Sequence, residues 1–467
     1  SRSDSVDYAT VFDGLGWNVQ TIDGHDHSAM HFAIETAKVM DKPSIIIGKT
    51  TMAKGSANME KDHNTHGAPL PQDEIDLTKE KLGLPNKKFY VPAQVIEHFR
   101  TRFDDITDEA EKWSVRFDQL SKNSRLKNIF ENTIGEKIVA DLKMPDFDAG
   151  ETLATRKAFG AVLDSIAGFL PQLVGGSADL EPSNYTGNFA KKFGDFTREN
   201  HSGRNIPFGV REFPMAAMMN GMALHGGVIP FGGTFLVFAD YERPALRLAA
   251  IQNIRVLHEF THDSFYVGED GPTHQPVEQA MSLRAIPNFH VYRPADAKET
   301  VSCIRLALKN KNTPSALLLT RQGVPVLEKN QKQIDADVSK GAYSVYECDG
   351  LPEIVILATG SEVSLAIEVA KKLNSKRVRV VSMPCWELYE QQPDDYKAEL
   401  IPIRGNLKVS IEAGITHGWE KHIGNNGISI GLNHFGSSAP ASDLAEEFGF
   451  TSEKVIEKIN EALGNLL

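Results

Sequence analysis

The sequence predicts an α/β protein built from three doubly wound units with mainly parallel sheets, and three observations predict it. Short apolar runs alternate with helix-period segments along most of the 467 residues. Polar, breaker-rich loops follow several of those runs, where ligands of open α/β sheets gather. The length suits about three domains of ordinary size, each able to bury a core.

The first unit spans residues 1–94. Trp17-Asn18-Val19-Gln20-Thr21-Ile22 reads as a strand that enters the Asp23-Gly24 turn, a helix follows over His27 to Met40, and Ser44 to Gly48 is a second strand. This is a βαβ piece, too small for a finished domain. The Gly, Asn and His content of Lys54 to Leu70 marks a loop. Residues 95–149 turn charged with helical spacing and form a helical linker.

The second unit spans residues 150–330. Its apolar runs are Leu173 to Ala178, Val228 to Phe235, Ile254 to Phe260, Phe289 to Tyr292 and Ala316 to Thr320, the grammar of a parallel sheet. A Lys, Gln and Asp-rich linker, Glu328 to Lys340, leads to the third unit, 341–467, with strands at Ile354 to Ser361, Val378 to Ser382 and Lys408 to Ile411. Thr359-Gly360-Ser361-Glu362 has the look of a strand-to-helix turn able to hold an anion, although one glycine favours a plain structural turn.

A net charge of -12 with no Lys/Arg stripe argues against nucleic acid as a partner. An anionic small molecule is still possible where a few arginines gather. Cys303, Cys348 and Cys385 are odd in number and lack metal-like spacing, which favours a reducing, cytoplasmic setting over a disulfide framework. No run approaches the roughly eighteen apolar residues of a membrane helix, and no signal peptide is evident. The chain starts at Ser1 rather than Met, which points to a processed or incomplete N-terminus.

The richest chemistry lies in Thr261-His262-Asp263-Ser264 and on to Gly268-Glu269-Asp270-Gly271-Pro272-Thr273-His274, directly after an apolar run. Imidazoles donate to and accept from hydroxyls and relay protons near neutral pH, so His262, His274 and Asp270 suit a polyhydroxylated substrate. A lone histidine more often satisfies a loop hydrogen bond; two in one such loop, with more histidines in the Lys54 to Leu70 loop, favour a site. Zinc is disfavoured, because His262 and His274 match no zinc spacing.

Phe235, Phe238 and Tyr241 follow Phe231-Gly232-Gly233-Thr234 at intervals of three, which places them on one helical face beside a close backbone approach. Such a stripe is usually core; here a flat heteroaromatic ring can stack on it. Glu212, within Phe208-Gly209-Val210-Arg211-Glu212-Phe213-Pro214, is either an exposed helix-start carboxylate or, if buried, a proton-holding acid. Arg156, Arg293 and Arg321 form a scattered basic set; Arg293 and Arg321 stand just beyond apolar strands, where a phosphate contact belongs, and each alone also suits a structural ion pair.

Taken together, Gly175-Gly176-Ser177-Ala178-Asp179-Leu180-Glu181-Pro182-Ser183-Asn184, Arg211-Glu212, Gly233-Thr234-Phe235-Leu236 with Phe238, the 261–276 loop and Tyr292-Arg293-Pro294-Ala295-Asp296 resemble transketolase, in order. The resemblance extends from His63-Asn64-Thr65-His66-Gly67-Ala68-Pro69-Leu70 to Gly414-Ile415-Thr416-His417-Gly418-Trp419 and covers nearly the whole chain. It implies a partial diphosphate-binding (PP) domain, a pyrimidine-binding domain and a C-terminal transketolase domain. The implied cofactors are thiamine diphosphate with Mg²⁺ or Ca²⁺, and the implied assembly is a homodimer with active sites between subunits.

The implied reaction moves a two-carbon ketol unit from a ketose phosphate to an aldose phosphate in the pentose phosphate pathway, through a carbanion that the cofactor stabilises. By the same resemblance Glu212 protonates the cofactor's aminopyrimidine, Phe235, Phe238 and Tyr241 surround that ring, and Asp179 lies near it. His66, His262 and His274 contact substrate oxygens and shuttle protons, with His66 also near the cofactor. Asp270 recognises a sugar hydroxyl, and Arg156, Ser183 and Arg321 anchor the sugar phosphate. Thr261-His262-Asp263-Ser264 resembles transketolase more than deoxyxylulose-phosphate synthase.

The pattern also breaks. The family's Gly-Asp-Gly motif, which binds the metal and diphosphate, is absent from the sequence, so Ser1 is expected to fall in the middle of the PP domain and the metal ligands to lie outside this chain. A separate N-terminal polypeptide is one way to supply them. Phe213-Pro214 stands where the family usually has His-Gly. The alternative is a non-catalytic dimerisation or regulatory module, disfavoured because the pyrimidine and sugar-phosphate residues are all present.

Overall fold

The structure, a computed structural model, describes residues 4–135 and 142–465. They form two compact units, one ending at Asp118 and one beginning at Gln119.

In the first unit the strands Asn18–Asp23 and Ser44–Lys49 pair in parallel around the helix His27–Val39. Asp26 starts that helix by accepting from the amides of Ser28 and Ala29 at 2.9 and 3.1 Å, and Gln20 Nε2 ties strand to helix through the Ala33 carbonyl at 3.0 Å. The histidine-bearing loop is braced from below. Glu74 accepts from the Asn58 amide at 2.7 Å, from Asn58 Nδ2 at 3.1 Å and from the Met59 amide at 3.2 Å. Among the described residues of this unit Ala33 is the one buried apolar side chain, while Phe32, Val39 and Phe89 are exposed. A parallel strand pair is ordinarily covered on both faces, so this unit carries more apolar surface than it can bury itself. The expected charged helices are Ala93–Ser121 and Ser124–Gly135; of that segment, residues 136–141 lie outside the described residues.

The second unit contains two five-stranded sheets. The first runs Leu173–Ser177, Ile229–Phe235, Leu257–Thr261, Ser315–Leu319, His290–Tyr292, all parallel. Its strands are buried on both faces. Leu317 and Leu319 join Phe231, Leu257, Phe159 and Leu163 on one side, and Ala316 and Leu318 join Phe260, Leu246 and Ala250 on the other. This two-sided burial is why the strands read as continuous apolar runs in the sequence.

The second sheet runs Tyr343–Tyr346, Val378–Ser382, Ile354–Ala358, Leu407–Ile411, Ile428–Ile430, with Tyr343–Tyr346 the antiparallel edge. The segment expected to link the two sheets is instead partly folded into the core. Residues Gln331–Val338 form a helix whose Ile334 and Val338, one turn apart, are buried against the first sheet's cluster. The polar majority of that segment hid a two-residue apolar face.

The sheets are joined by a buried ion cluster. Arg293, 1% exposed, donates from Nε to Asp263 at 2.9 Å and from Nη1 to Glu362 and to the Thr359 carbonyl, the latter at 2.8 Å. Glu412 lies 3.7 Å from the same guanidinium and takes a bidentate fork from Arg284 at 2.8 Å on both oxygens. Gly360 makes room for it. With φ of +60°, a Cβ at that position would stand 2.6 Å from Arg293 Cζ. Gly360→Ala combines a left-handed backbone with a displaced buried cation, and the expected loss is at least about 2 kcal/mol of stability by urea unfolding; a variant as stable as the parent would show that the turn yields freely.

Candidate functional site

The carboxyl ends of the first sheet's strands deliver the site. One side chain organises three of those ends: Asn184 accepts from Ser177 Oγ at 2.7 Å, and its Nδ2 donates to the Thr234 carbonyl at 3.3 Å and to Thr261 Oγ1 at 3.2 Å. Fixed in this way, the ends of Leu173–Ser177, Ile229–Phe235 and Leu257–Thr261 converge with little freedom.

Five rings meet there. The His262 imidazole stacks on Phe235 with centroids 3.7 Å apart and planes at 27°. Phe235 and Phe238 are nearly parallel at 5.9 Å, and His274 meets both edge-on at 6.2 and 5.7 Å. Tyr241 adjoins Phe238 at 6.2 Å. The three aromatics do not share one helical face as their spacing suggests. Phe235 ends a strand, Phe238 closes a 3₁₀ turn and Tyr241 lies in the helix Ala239–Gln252. That break in periodicity opens ring faces toward the sheet edge, where a continuous helix would have packed them as core.

His262 is held in an uncommon conformation. Its φ is +60°, a left-handed value that costs an ordinary residue roughly 1–2 kcal/mol. Thr261 Oγ1, which accepts from Asn184, keeps its own hydrogen for His262 Nδ1 at 2.8 Å and so leaves the ring proton on Nε2. Burial, then Arg156, Arg321 and His274 lower the His262 pKa to about 3. The ring is therefore a neutral N–H donor through the physiological range, not a cation.

The arginines stand beside it. Thr155 and Thr320 exchange hydrogen bonds, Thr155 N to Thr320 Oγ1 at 3.0 Å and Thr320 N to Thr155 Oγ1 at 2.7 Å, which brings Arg156 near Arg321. Arg156 donates to the Ser183 carbonyl at 3.1 Å and lies over the Tyr185 ring at 5.4 Å. Burial depresses the Arg156 pKa and the nearby Arg321 adds to the effect, while Tyr185 and Glu259 oppose it. Behind them Glu259 is wholly buried, with neither oxygen hydrogen-bonded, and burial pushes its carboxyl well above the usual range. It packs against Gly233, where a Cβ would meet Glu259 Oε2 at 2.4 Å.

Glu212 is the first residue of the helix Glu212–His225 and only partly buried, so its carboxyl meets the positive end of the helix dipole. Pro214 falls in the same first turn, where no amide partner is required, and the helix continues. Beneath lies a dyad that sequence reading missed: His258 Nδ1 is 3.0 Å from Glu242 Oε2, both fully buried, and burial raises Glu242 with Glu212 raising it further.

Other expected residues are placed individually. Asp179 is exposed with φ of +66°; Ser183 contributes its carbonyl to Arg156. Asp270 is exposed on the loop that Gln275 pins by donating to the carbonyls of Gly268 at 2.7 Å and Ser437 at 2.9 Å. His66 belongs to the first unit, exposed at the end of the 3₁₀ turn His63–Thr65. Arg293 is not available for a phosphate, since Asp263 and Glu362 occupy it, and the Thr359-Gly360-Ser361-Glu362 turn receives this arginine rather than a free anion. Asn184, Glu259 and the Glu242–His258 dyad lacked any local signal; the one hint was ionisable residues inside the apolar run Leu257–Thr261.

The lowered His262 pKa has a stability consequence. The unfolded chain takes up this proton below about 6.5 while the folded chain does so only near 3, so the residue's neutral burial favours unfolding progressively as pH falls through that window. Replacing it with glutamine removes up to about 1.4 kcal/mol per pH unit from the acid slope. Urea midpoints between pH 6.5 and 4 measure this, and parallel slopes for parent and variant would contradict it.

Known proteins match this chain throughout. The transketolase thiamine diphosphate binding domain matches residues 1–138, the transketolase pyrimidine binding domain residues 151–326, and the transketolase-like C-terminal domain residues 341–451. A transketolase of Aquifex aeolicus is 41% identical over 96% of this chain and 66% of its own length. The solved transketolase of Leishmania mexicana superposes with a TM-score of 0.92 at 38% identity, covering 99% of this chain and 69% of that one. A Pichia stipitis transketolase in complex with sedoheptulose-7-phosphate gives 0.91 at 35% identity, with the same coverage. A split-gene transketolase described as an inactive β4 tetramer gives 0.55 at 26% identity, covering 67% of this chain and 99% of that one. The chain thus spans about two thirds of the length of the first three relatives, and it belongs to the transketolase family of thiamine diphosphate-dependent enzymes.

Proposed function

We propose that this chain provides the pyrimidine side and the sugar-phosphate side of a transketolase active site, for reversible transfer of a two-carbon ketol unit from a ketose phosphate to an aldose phosphate. The observation that carries this is the juxtaposition of five rings with two uncompensated arginines at one sheet edge. Flat rings suit an aminopyrimidine and the arginines suit a phosphate dianion.

Bound thiamine diphosphate supplies the electron sink. Glu212, at the start of the helix Glu212–His225, serves the aminopyrimidine as its proton partner. Phe235, Phe238 and Tyr241 form the walls of the ring pocket, with Asp179 at its margin. His262 donates from Nε2 to a substrate oxygen, and His274 contacts the ketol oxygens and moves protons there; for His66, in the first unit, we keep the substrate and cofactor contact that the family resemblance implies. Asp270 accepts from a sugar hydroxyl. Arg156, steered by the Ser183 carbonyl, and Arg321 bind the phosphate.

The metal in this proposal is Mg²⁺ or Ca²⁺, held by hard oxygen ligands of a diphosphate-binding motif. Among the described residues no group of three or more His, Cys, Asp or Glu converges to hold a metal ion, and the Gly-Asp-Gly motif is absent from this sequence. We propose that the family's diphosphate-binding motif supplies those ligands, within a cytoplasmic homodimer whose active sites lie between subunits. The apolar side chains left exposed in the first unit support such association. The domain limits we propose are 1–94 for the diphosphate side, 95–149 for the connecting helices, 150–330 for the pyrimidine side and 341–467 for the C-terminal domain. A non-catalytic dimerisation module has no use for a neutral imidazole beside two arginines.

In the assembled enzyme Glu212→Ala should reduce ketol transfer by about 10²–10⁴-fold while ribose 5-phosphate binding persists; undiminished turnover would remove the role given to Glu212. The chain alone should bind Mg²⁺ and thiamine diphosphate weakly, and tight, Mg²⁺-dependent binding by calorimetry would show that the metal ligands are its own.

A further inference from the structure

The His262 loop is clamped at both ends by the C-terminal domain. On the outgoing side of His262, Asp263 is bonded to Arg293, and Arg293 is held by Glu362 and the Thr359 carbonyl, with Glu412 at 3.7 Å. Phe265, wholly buried two residues further on, packs on Phe448 and Phe450 with centroids 5.3 and 5.1 Å apart. On the returning side Gln275 donates to the Ser437 carbonyl at 2.9 Å, and the Ile415 amide donates to the Val277 carbonyl at 2.9 Å. Every one of those partners lies beyond residue 358, except Arg293 itself.

A left-handed histidine persists only where its surroundings over-determine it. Thr261 is fixed by its strand and by Asn184 on one side. On the other side the fixing contact is Asp263 to Arg293, whose charge is balanced by carboxylates of the C-terminal domain. Ser361 Oγ donates to Glu362 at 2.6 Å and the Ala413 amide donates to it at 2.9 Å, and Trp419 Nε1 donates to Glu412 at 2.9 Å, so the two carboxylates are themselves immobile. The restraint therefore passes without slack from the second sheet to the His262 ring on Phe235.

We propose that Arg293 and Glu362 are positioning residues for substrate binding, through which the C-terminal domain holds Asp263 and keeps His262 in the left-handed conformation that stacks it on Phe235. This deepens the functional reading above and rests on it, since it takes His262 to contact substrate oxygens. The residues themselves touch no substrate.

The test is a double-mutant cycle on the full chain in its assembled form, with ribose 5-phosphate as the probe and calorimetric Kd as the readout. Glu362→Gln keeps the shape and an acceptor but removes the charge, and should weaken binding by about fivefold. In a His262→Ala background the same substitution should change Kd by less than about twofold. An equal effect of Glu362→Gln in both backgrounds would overturn the positioning role, as would no effect in either. If His262→Ala alone leaves Kd unchanged, the reading of His262 fails instead, and the ring-current shift of its imidazole resonances, expected to move toward random-coil values in Glu362→Gln, decides the positioning role separately. Should Glu362→Gln not fold, Arg293→Lys, which keeps the charge but loses the fork, serves in the same cycle with the same expected pattern; Glu362→Asp should restore at least half of the lost affinity.

Discussion

The whole second unit depends on one buried guanidinium. Moving Arg293 out of water costs several kcal/mol, and only close, well-bonded carboxylates offset that. Asp263 comes from the first sheet, Glu362 and Glu412 from the second, and Arg284 returns from the first to balance Glu412. The five ionised groups carry one net negative charge, which burial relieves by pushing Glu362 upward while Arg284 and Arg293 together hold Glu412 low against its own burial. Deleting either arginine would leave buried carboxylates without their counter-charge. The two sheets are consequently locked in one relative placement by electrostatics as well as by apolar packing.

The substrate side shows the opposite arrangement. Arg156 and Arg321 lie near each other and two imidazoles, and burial pushes the carboxyl behind them, Glu259, well up. The overall charge of -12 does not conflict with this, since it belongs to the whole chain, whereas Arg156 and Arg321 act on His262 at short range. The same comparison explains why His262 can be neutral where a surface histidine would titrate.

Much of this was legible in the sequence, for identifiable reasons. The eight strands expected in the second and third units formed within a few residues of their apolar runs, because two-sided burial leaves no room for polar alternation. His262, His274, Phe235 and Phe238 could be grouped because a loop after a parallel strand has one place to go. What the sequence hid were partners far along the chain. Arg293 reads as a phosphate anchor since it follows an apolar run just as Arg321 does; what separates them is Glu362, 69 residues away. Asn184 bonds to Thr234 and Thr261 across 50 and 77 residues. The aromatic triplet was misjudged as one helical face because spacing alone does not reveal that a strand, a turn and a helix meet within seven residues. The segment 328–340 looked like a linker because its two apolar residues are outnumbered by polar ones.

The Thr359-Gly360-Ser361-Glu362 turn is structural, as its single glycine favoured over an anion loop, and it receives a cation. In the second sheet, Ile354–Ala358 is flanked by Val378–Ser382 on one side and Leu407–Ile411 on the other, so the chain leaves it in one direction and returns past it in the other. The crevice beyond such a strand is where an open α/β sheet ordinarily receives its ligand. Here that crevice is filled by the neighbouring sheet's arginine. Glu362 at the helix start supplies the negative charge, Gly360 the space and the Thr359 carbonyl a further acceptor. The position where a ligand ordinarily lies is here a socket for Arg293, one of several contacts, with those of Phe265, Gln275 and Val277, that tie the His262 loop to the C-terminal domain.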